Sequence, residues 1–402
     1  MIKIAVLGYG VVGSGVVQVL DMNSDIITHN AGQEITVKYI LDIRSFSESP
    51  YKHLFTESFE TIVNDPEITV VVEAIGGVDV ALTYTRRCLE AGKNVVTSNK
   101  ELVSEYGSEL LRLARDKDVN YLFEASVGGG IPVIRPLTQC MTANTINEIY
   151  GILNGTTNYI LTDMERNNAA FSAALREAQQ KGYAESDPTA DIEGFDTCRK
   201  ICILASLAFG VHIYPRQVTT EGITGITIHD IAYADKLGYK IKLLGRARLV
   251  GNKISAYVAP HLISRSNLLA VVEDVMNGVV IRGNAVGNVV FCGKGAGKLP
   301  TASAVVADVI DAVKHLRSRR WIDWADGSAG LAADSTLLDS AWYIRTDASH
   351  DKIEREFGSV IFAENTGSET AFITSVMNEN MVEELLSRGV SPKSQFRVLG
   401  DH

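Results

Sequence analysis

The segment Gly182-Tyr183-Ala184-Glu185-Ser186-Asp187-Pro188, continued by Asp191, Glu193, Asp196 and Lys200, gathers five carboxylates around one lysine. On a helix, Asp196 and Lys200 are four apart and share a face. Such a pair contributes little on an exposed surface. Here the residues that follow, Ile201-Cys202-Ile203-Leu204-Ala205, are almost wholly apolar, so the pair stands at the mouth of a buried helix. A lysine held there by an aspartate stays cationic and can deliver a proton to a forming alkoxide. The surrounding carboxylates suit the ammonium group of an amino-acid substrate.

A second constellation lies at the N-terminus, where Gly8-Tyr9-Gly10-Val11-Val12-Gly13 follows a short apolar run and opens a helical pattern. The first glycine permits a tight turn, the second lets the backbone approach a pyrophosphate, and the third lets helix pack on strand. The helix start at Val11 and Val12 offers N–H groups and a positive dipole end to phosphates. Asp42 ends the next strand, where an acid accepts a ribose 2′-hydroxyl and favours NAD; Arg44 could instead hold a 2′-phosphate and favour NADP. The choice stays open. Residues 22–34, read as a long loop, account for the late position of Asp42. Gly76 is counted with the cofactor-binding residues. Thr97-Ser98-Asn99-Lys100 follows another strand, at the sheet edge where α/β ligands collect, and makes Lys100 a site residue.

The elements that must position these groups alternate strand and helix through the first third, which implies an α/β fold with a parallel sheet. The rhythm changes at the glycine turn Glu124-Ala-Ser-Val-Gly-Gly-Gly-Ile-Pro132. Beyond it come a strand at 146–153, helices at 157–166, 171–181 and 196–209, and strand-like pieces between 253 and 292 that suit an antiparallel second sheet. A helix at 301–317 ends in Lys314, Arg317, Arg319 and Arg320, which complement its dipole. Residues 321–340 read as a linker, and the last 60 or so as a small βαββαβ unit.

A chain of 402 residues is long enough for two domains and a small third. The net charge of −10 excludes the basic surface that nucleic acid or an anionic membrane selects. No stretch approaches the roughly 18 apolar residues of a membrane span, and the apolar start is too short for a signal peptide. Five scattered cysteines fit reduced thiols in a cytoplasmic protein. Cys198 and Cys202, four apart, read as packing, and no histidine recurs at metal-ligand spacing.

The two glycine and lysine constellations, with Asn99-Lys100, Glu124 to Pro132, Asn154-Gly-Thr-Thr-Asn158, Gly182-Tyr-Ala-Glu-x-Asp-Pro188, Asp191-x-x-Gly-x-Asp196-x-x-x-Lys200 and Gly293-x-Gly-Ala-Gly297, resemble the homoserine dehydrogenase family. The motifs are colinear to about residue 320. The resemblance implies reversible NAD(P)H reduction of L-aspartate 4-semialdehyde to L-homoserine, in threonine, methionine and isoleucine biosynthesis. It implies that Lys200 protonates the carbonyl oxygen, that Asp196 and Glu185 hold the substrate, and that Lys100 lines the same cleft. It implies a monovalent cation, Na or K, on oxygens of Glu124, Val127, Gly129 and Ile131, mostly main-chain. Gly297 resembles a position that closes over the nicotinamide side.

The implied architecture is a Rossmann-type domain over 1–135, with a helix near 300–317 packing back on it. An α+β substrate and dimerisation domain over 136–300 follows, then a linker over 321–339 and a ferredoxin-like, ACT-like module over 340–402. A homodimer or homotetramer is expected, with a small-molecule substrate. The tail departs from the pattern: Thr346-Asp347-Ala348-Ser349-His350-Asp351 lacks the Pro-Gly of an ACT ligand turn, which puts regulator binding in doubt. Two competing readings remain. Aspartate-semialdehyde dehydrogenase chemistry needs a nucleophilic cysteine, and Cys140 has no evident base. A non-catalytic dinucleotide-binding regulatory protein would keep Gly8, Gly10 and Gly13 without needing Asp196 and Lys200.

Overall fold

Strand and helix alternate as β1 (Ile2–Leu7), α1 (Val11–Met22), α2 (Ser24–Ala31), β2 (Ile35–Leu41), β3 (Phe55–Thr56), α3 (Phe59–Val63), β4 (Ile68–Glu73), α4 (Asp79–Glu90), β5 (Asn94–Thr97), α5 (Lys100–Asp116) and β6 (Tyr121–Leu122). The computed structural model describes residues 1–320, 322–327, 333–363 and 369–400. The six strands pair in parallel, in the order β3-β2-β1-β4-β5-β6. Helices cover them, so β1 and β4 are buried nearly throughout and read as continuous apolar runs. The stretch expected as a loop before Asp42 holds α2 instead. Its Ser-Asp-Ile-Ile-Thr-His-Asn-Ala sequence buries only Ile27 and Ala31. Two apolar positions and a β-branched run give a weak helical signal, which packing overrides.

The chain continues through β7 (Ile146–Ile152), α6 (Gly155–Asn167), α7 (Phe171–Gln180), α8 (Thr189–Ile192), α9 (Phe195–Phe209), β8 (Thr219–Thr220), α10 (Ile228–Lys236), β9 (Tyr239–Val250), β10 (Lys253–Ser264), β11 (Met276–Gly283), β12 (Gly287–Lys294) and α11 (Lys298–Lys314). The final part holds β13 (Ala341–Thr346), α12 (His350–Phe357), β14 (Ile361–Phe362), β15 (Thr370–Ile373), α13 (Glu379–Ser387) and β16 (Pro392–Val398). These strands form one sheet in the order β12-β11-β7-β9-β10-β16-β13-β15-β14, with β8 on β10. The expected antiparallel sheet is therefore mixed, because β16 and β8 both pair with β10 in parallel. Strand β9 and helix α10 escape a reading by periodicity. In β9 the bases Lys240, Lys242, Arg246 and Arg248 interrupt the apolar run, yet Lys242 is only 1% exposed. Its ammonium donates to Asn158 Oδ1 and to the Val272 carbonyl, both at 2.8 Å.

Helix α11 lies against α1 so closely that a Cβ on Gly15 would come within 2.8 Å of the Lys298 carbonyl oxygen. It ends at Lys314, so Arg317, Arg319 and Arg320 stand beyond its last turn and not on its dipole. Arg320 instead reaches Asp311 at 3.0 Å. The stretch expected as a linker is packed where it is described. Trp324 is buried against Phe123 and His212, with ring centroids 5.7 Å from each. Trp321 and residues 328–332 lie outside the described residues. A buried Asp230 on α10 meets Arg345 of β13 at 2.7 Å and accepts from Tyr343, while Arg345 also reaches Glu369 at 2.8 Å.

Candidate active site

The turn after β1 shows why glycine is required there. Gly8 has φ of +91°, and a Cβ on Gly13 would fall 1.8 Å from the Gly8 carbonyl oxygen. Gly10 is the N-cap of α1 and has open space around the position of a Cβ. Val11 and Val12 begin the helix, whose first N–H groups have no acceptor within it, and Val11 is exposed. Asp42, at the end of β2, accepts from the Tyr9 N–H at 2.7 Å and from the Arg44 guanidinium at 3.0 and 2.9 Å. Arg44 holds the Asp42 carboxyl down at about 2. Gly76 is exposed in the loop after β4. These groups can cradle a pyrophosphate and present either an acid or a base to a ribose.

The second centre is buried. Lys200, one turn into α9, donates to Asp196 at 2.8 Å and to the Leu153 carbonyl at 2.7 Å. An ammonium carries three donors, which leaves one for an incoming oxygen. Lys100, the first residue of α5, forms an ion pair with the other Asp196 oxygen. Asn154, the N-cap of α6, donates to Asp196 at 2.9 Å and to Asp191 at 2.7 Å. A second tie joins the helices: Arg199 meets Glu101 at 2.6 Å.

The shifts divide the two lysines. Burial pushes the Lys200 ammonium down, with Lys100 adding to it and Asp196 opposing. Burial also opposes Lys100, but Asp196 outweighs it and raises the group. Burial works against ionising Asp196 too, yet Lys200 and Lys100 outweigh it and hold the carboxyl well below its usual range. Burial raises Asp191. A carboxylate between one stabilised and one destabilised ammonium is an arrangement that can hold a polar substrate and hand it a proton.

Lys100, Asp196 and Lys200 therefore come together, and Glu185 does not join them. Its side chain is exposed between α7 and α8 and enters none of the cluster's bonds. Asp191 is tied to the cluster through Asn154. It stood among the five carboxylates, and Asn154 in its own motif, but nothing in the residue types said they would meet. The Leu153 carbonyl is main chain and carries no sequence signal at all.

At the turn after β6, the Glu124 carboxylate accepts the N–H groups of Val133 and Ile134 at 2.7 and 2.8 Å and of Arg135 at 2.7 Å. Its side chain is thus occupied. The carbonyl oxygens of Val127, Gly129 and Ile131 accept no backbone hydrogen bond among the described residues. Hard oxygens of this kind fit an alkali cation, with Glu124 contributing through its main chain. The turn locks onto the returning glycines: Gly130 donates to the Lys294 carbonyl at 3.1 Å, and a Cβ on Gly129 would come within 2.3 Å of the Gly295 oxygen. Gly297 follows directly and caps α11.

A family model described as the homoserine dehydrogenase NAD binding domain matches residues 8–124, and one described as homoserine dehydrogenase matches residues 132–310. A homoserine dehydrogenase of Neisseria gonorrhoeae is 38% identical over 393 residues, which span 95% of this chain and 90% of that one. The crystal structure of a homoserine dehydrogenase from Thiobacillus denitrificans superposes with a TM-score of 0.90 at 38% identity, covering 99% and 98% of the two chains. A hyperthermophilic archaeal homoserine dehydrogenase in complex with NADPH gives 0.65 at 28% identity, over 77% of this chain and 97% of that one. Matched nearly end to end in both sequence and fold, the chain belongs to the homoserine dehydrogenase family.

Proposed function

We propose that this chain reduces L-aspartate 4-semialdehyde reversibly to L-homoserine with NADH or NADPH, Lys200 giving its proton to the forming alkoxide. The observation that carries the assignment is the Lys200–Asp196–Lys100 cluster, in which Lys200 and Asp196 are buried. A depressed lysine is a stronger acid and so a better proton donor. The cation of Lys100, the buried carboxylate of Asp196 and the half-buried one of Asp191 hold the two charged ends of the amino acid. Glu185 reaches the substrate from its exposed loop. The dinucleotide supplies the hydride when bound. Burial of the cluster keeps water from the proton donor.

The Asp42–Arg44 pair supports use of both cofactors. Asp42 is ready for a ribose hydroxyl, and the exposed Arg44 is free to turn to a 2′-phosphate, in keeping with the NADPH complex of the archaeal relative. An alkali cation, Na or K, sits on the oxygens of Glu124, Val127, Gly129 and Ile131. Residues 1–135 form the dinucleotide domain, 136–300 the substrate and dimerisation domain, and 340–402 an ACT-like module serving assembly of a cytoplasmic homodimer or homotetramer. The test follows the oxidation of NADH and of NADPH with aspartate semialdehyde. Turnover with both is expected, with kcat/KM ratios within about tenfold, or about 1.4 kcal/mol. No turnover with either would remove the assignment.

A further inference from the structure

Glu73 ends β4 and is fully buried. Its carboxyl accepts the Ile75 N–H at 2.7 Å and the Thr97 hydroxyl, from the end of β5, at 2.5 Å. The Thr97 oxygen in turn accepts the Asn99 N–H at 2.9 Å. Asn99 closes the ring: its amide donates to the Gly77 carbonyl at 2.7 Å, and its oxygen accepts the Leu102 N–H at 3.1 Å, capping α5. The loop held in this way, residues 74–77, lies against the dinucleotide turn. Ala74 donates to the Leu7 carbonyl at 2.8 Å, and a Cβ on Gly8 would come within 2.6 Å of the Ala74 oxygen. The next residue after the cap is Lys100, paired with Asp196. One buried carboxyl therefore stands where the wall of the cofactor cleft meets the helix that carries a site lysine.

We propose that Glu73 is a positioning residue of the cofactor cleft, whose carboxylate ties the loop after β4 to the Asn99 cap and so sets both the dinucleotide wall and Lys100. The relevance of Lys100 rests on the function proposed above. Direction matters in this ring. Thr97 accepts from the Asn99 N–H and donates to Glu73, a bond that is strongest when Glu73 is a carboxylate. A protonated Glu73 adds a donor among groups that now all donate to it and weakens the bonds it accepts. Burial pushes the Glu73 carboxyl up to about 7, so the two states exchange near neutrality. Thr97 and Asn99 are uncharged. Tyr121 of β6 also feels the charge, and it stays neutral because burial raises it further.

Glu73→Gln mimics the protonated state permanently: its amide keeps an acceptor for Ile75 but turns a donor toward Thr97. Cofactor binding is read by quenching of reduced-cofactor fluorescence without substrate, so the result does not depend on which aldehyde the enzyme reduces. Wild-type affinity is expected to tighten as pH rises through about 7. E73Q should hold the low-pH value throughout, and at about pH 8 it should bind roughly tenfold more weakly, the scale of one lost charge-assisted hydrogen bond. Thr97→Val removes the relay hydroxyl and should weaken binding to a similar degree.

Stability should move the opposite way. A carboxyl with a raised folded-state pKa costs the fold stability as pH rises from the unfolded value toward the folded one. The difference in Tm between E73Q and wild type should therefore grow in favour of E73Q from about pH 5 to pH 8, which checks the raised carboxyl itself, while the opposite pH trend in cofactor affinity checks its positioning role. Wild-type binding by both variants at pH 8, or an unchanged pH dependence in E73Q, would overturn the proposal. If E73Q does not fold, T97V alone decides it. Absence of turnover with aspartate semialdehyde in the wild type would remove the reaction and leave this binding result standing.

Discussion

Asp196 is shared by two lysines, and the sharing is unequal. Lys200 lies in the protein interior with a main-chain oxygen as its second acceptor, while Lys100 is about two-fifths exposed at a helix start. The buried partner is the one whose proton is easier to lose, so it is the one that can give it up. Lys200→Ala should therefore cut kcat by roughly 10²-fold or more with a smaller change in KM. Steady-state kinetics on the folded variant checks this, and near wild-type kcat would assign the proton to another group. Sequence made the Asp196–Lys200 pair legible because two charges four apart preceded an apolar run. It could not rank the remaining carboxylates. Glu185 and Asp191 have similar chemistry and lie six residues apart, and only folding of α8 decides which one Asn154 meets.

Elements are legible where one physical cause dominates them. Strands β1, β4 and β5 are buried on both faces and could be read as apolar runs, and α5 and α9 follow from spacing and from what precedes them. Helix α2 and strand β9 fail that test because each is held by partners far along the chain; Lys242 satisfies its charge on α6 and on the loop before β11. The turn between β1 and α1 is the opposite case, since its chemistry and its sterics coincide. Gly13→Ala would place a Cβ 1.8 Å from the Gly8 oxygen, so the backbone must open where the pyrophosphate binds. The expected result is a rise of at least roughly tenfold in KM for the cofactor, with a loss of about 1–3 kcal/mol in stability from overpacking. A G13A protein with unaltered cofactor KM would mean that the turn does not carry the phosphates.

At the scale of the whole molecule, the C-terminal part is built into the catalytic body. Trp324 fills a slot between α5 and the segment after α9; a Cβ on Gly107 would come within 2.4 Å of its ring. His212, donating to Ser104 of α5 at 2.8 Å, lines the same slot. These two helices carry Lys100 and Lys200 near their N-terminal ends. Trp324→Ala should thus cost about 3–5 kcal/mol and loosen the register between them, seen as a lower Tm together with a fall in kcat. A stable variant with full activity would show the slot to be dispensable. None of this was visible in a stretch whose Gly, Ala, Ser and Asp content reads as a spacer; one tryptophan outweighs that composition. The parallel pairing of β16 with β10 has a further consequence during synthesis. Strand β16 is made well after β10 in chain order, yet it sits between β10 and β13. At about 5–20 residues per second, the edge of β10 waits on the order of ten seconds for its neighbour. A chain not yet grown as far as β16 therefore shows an open stretch of strand edge, and β16 then conceals it.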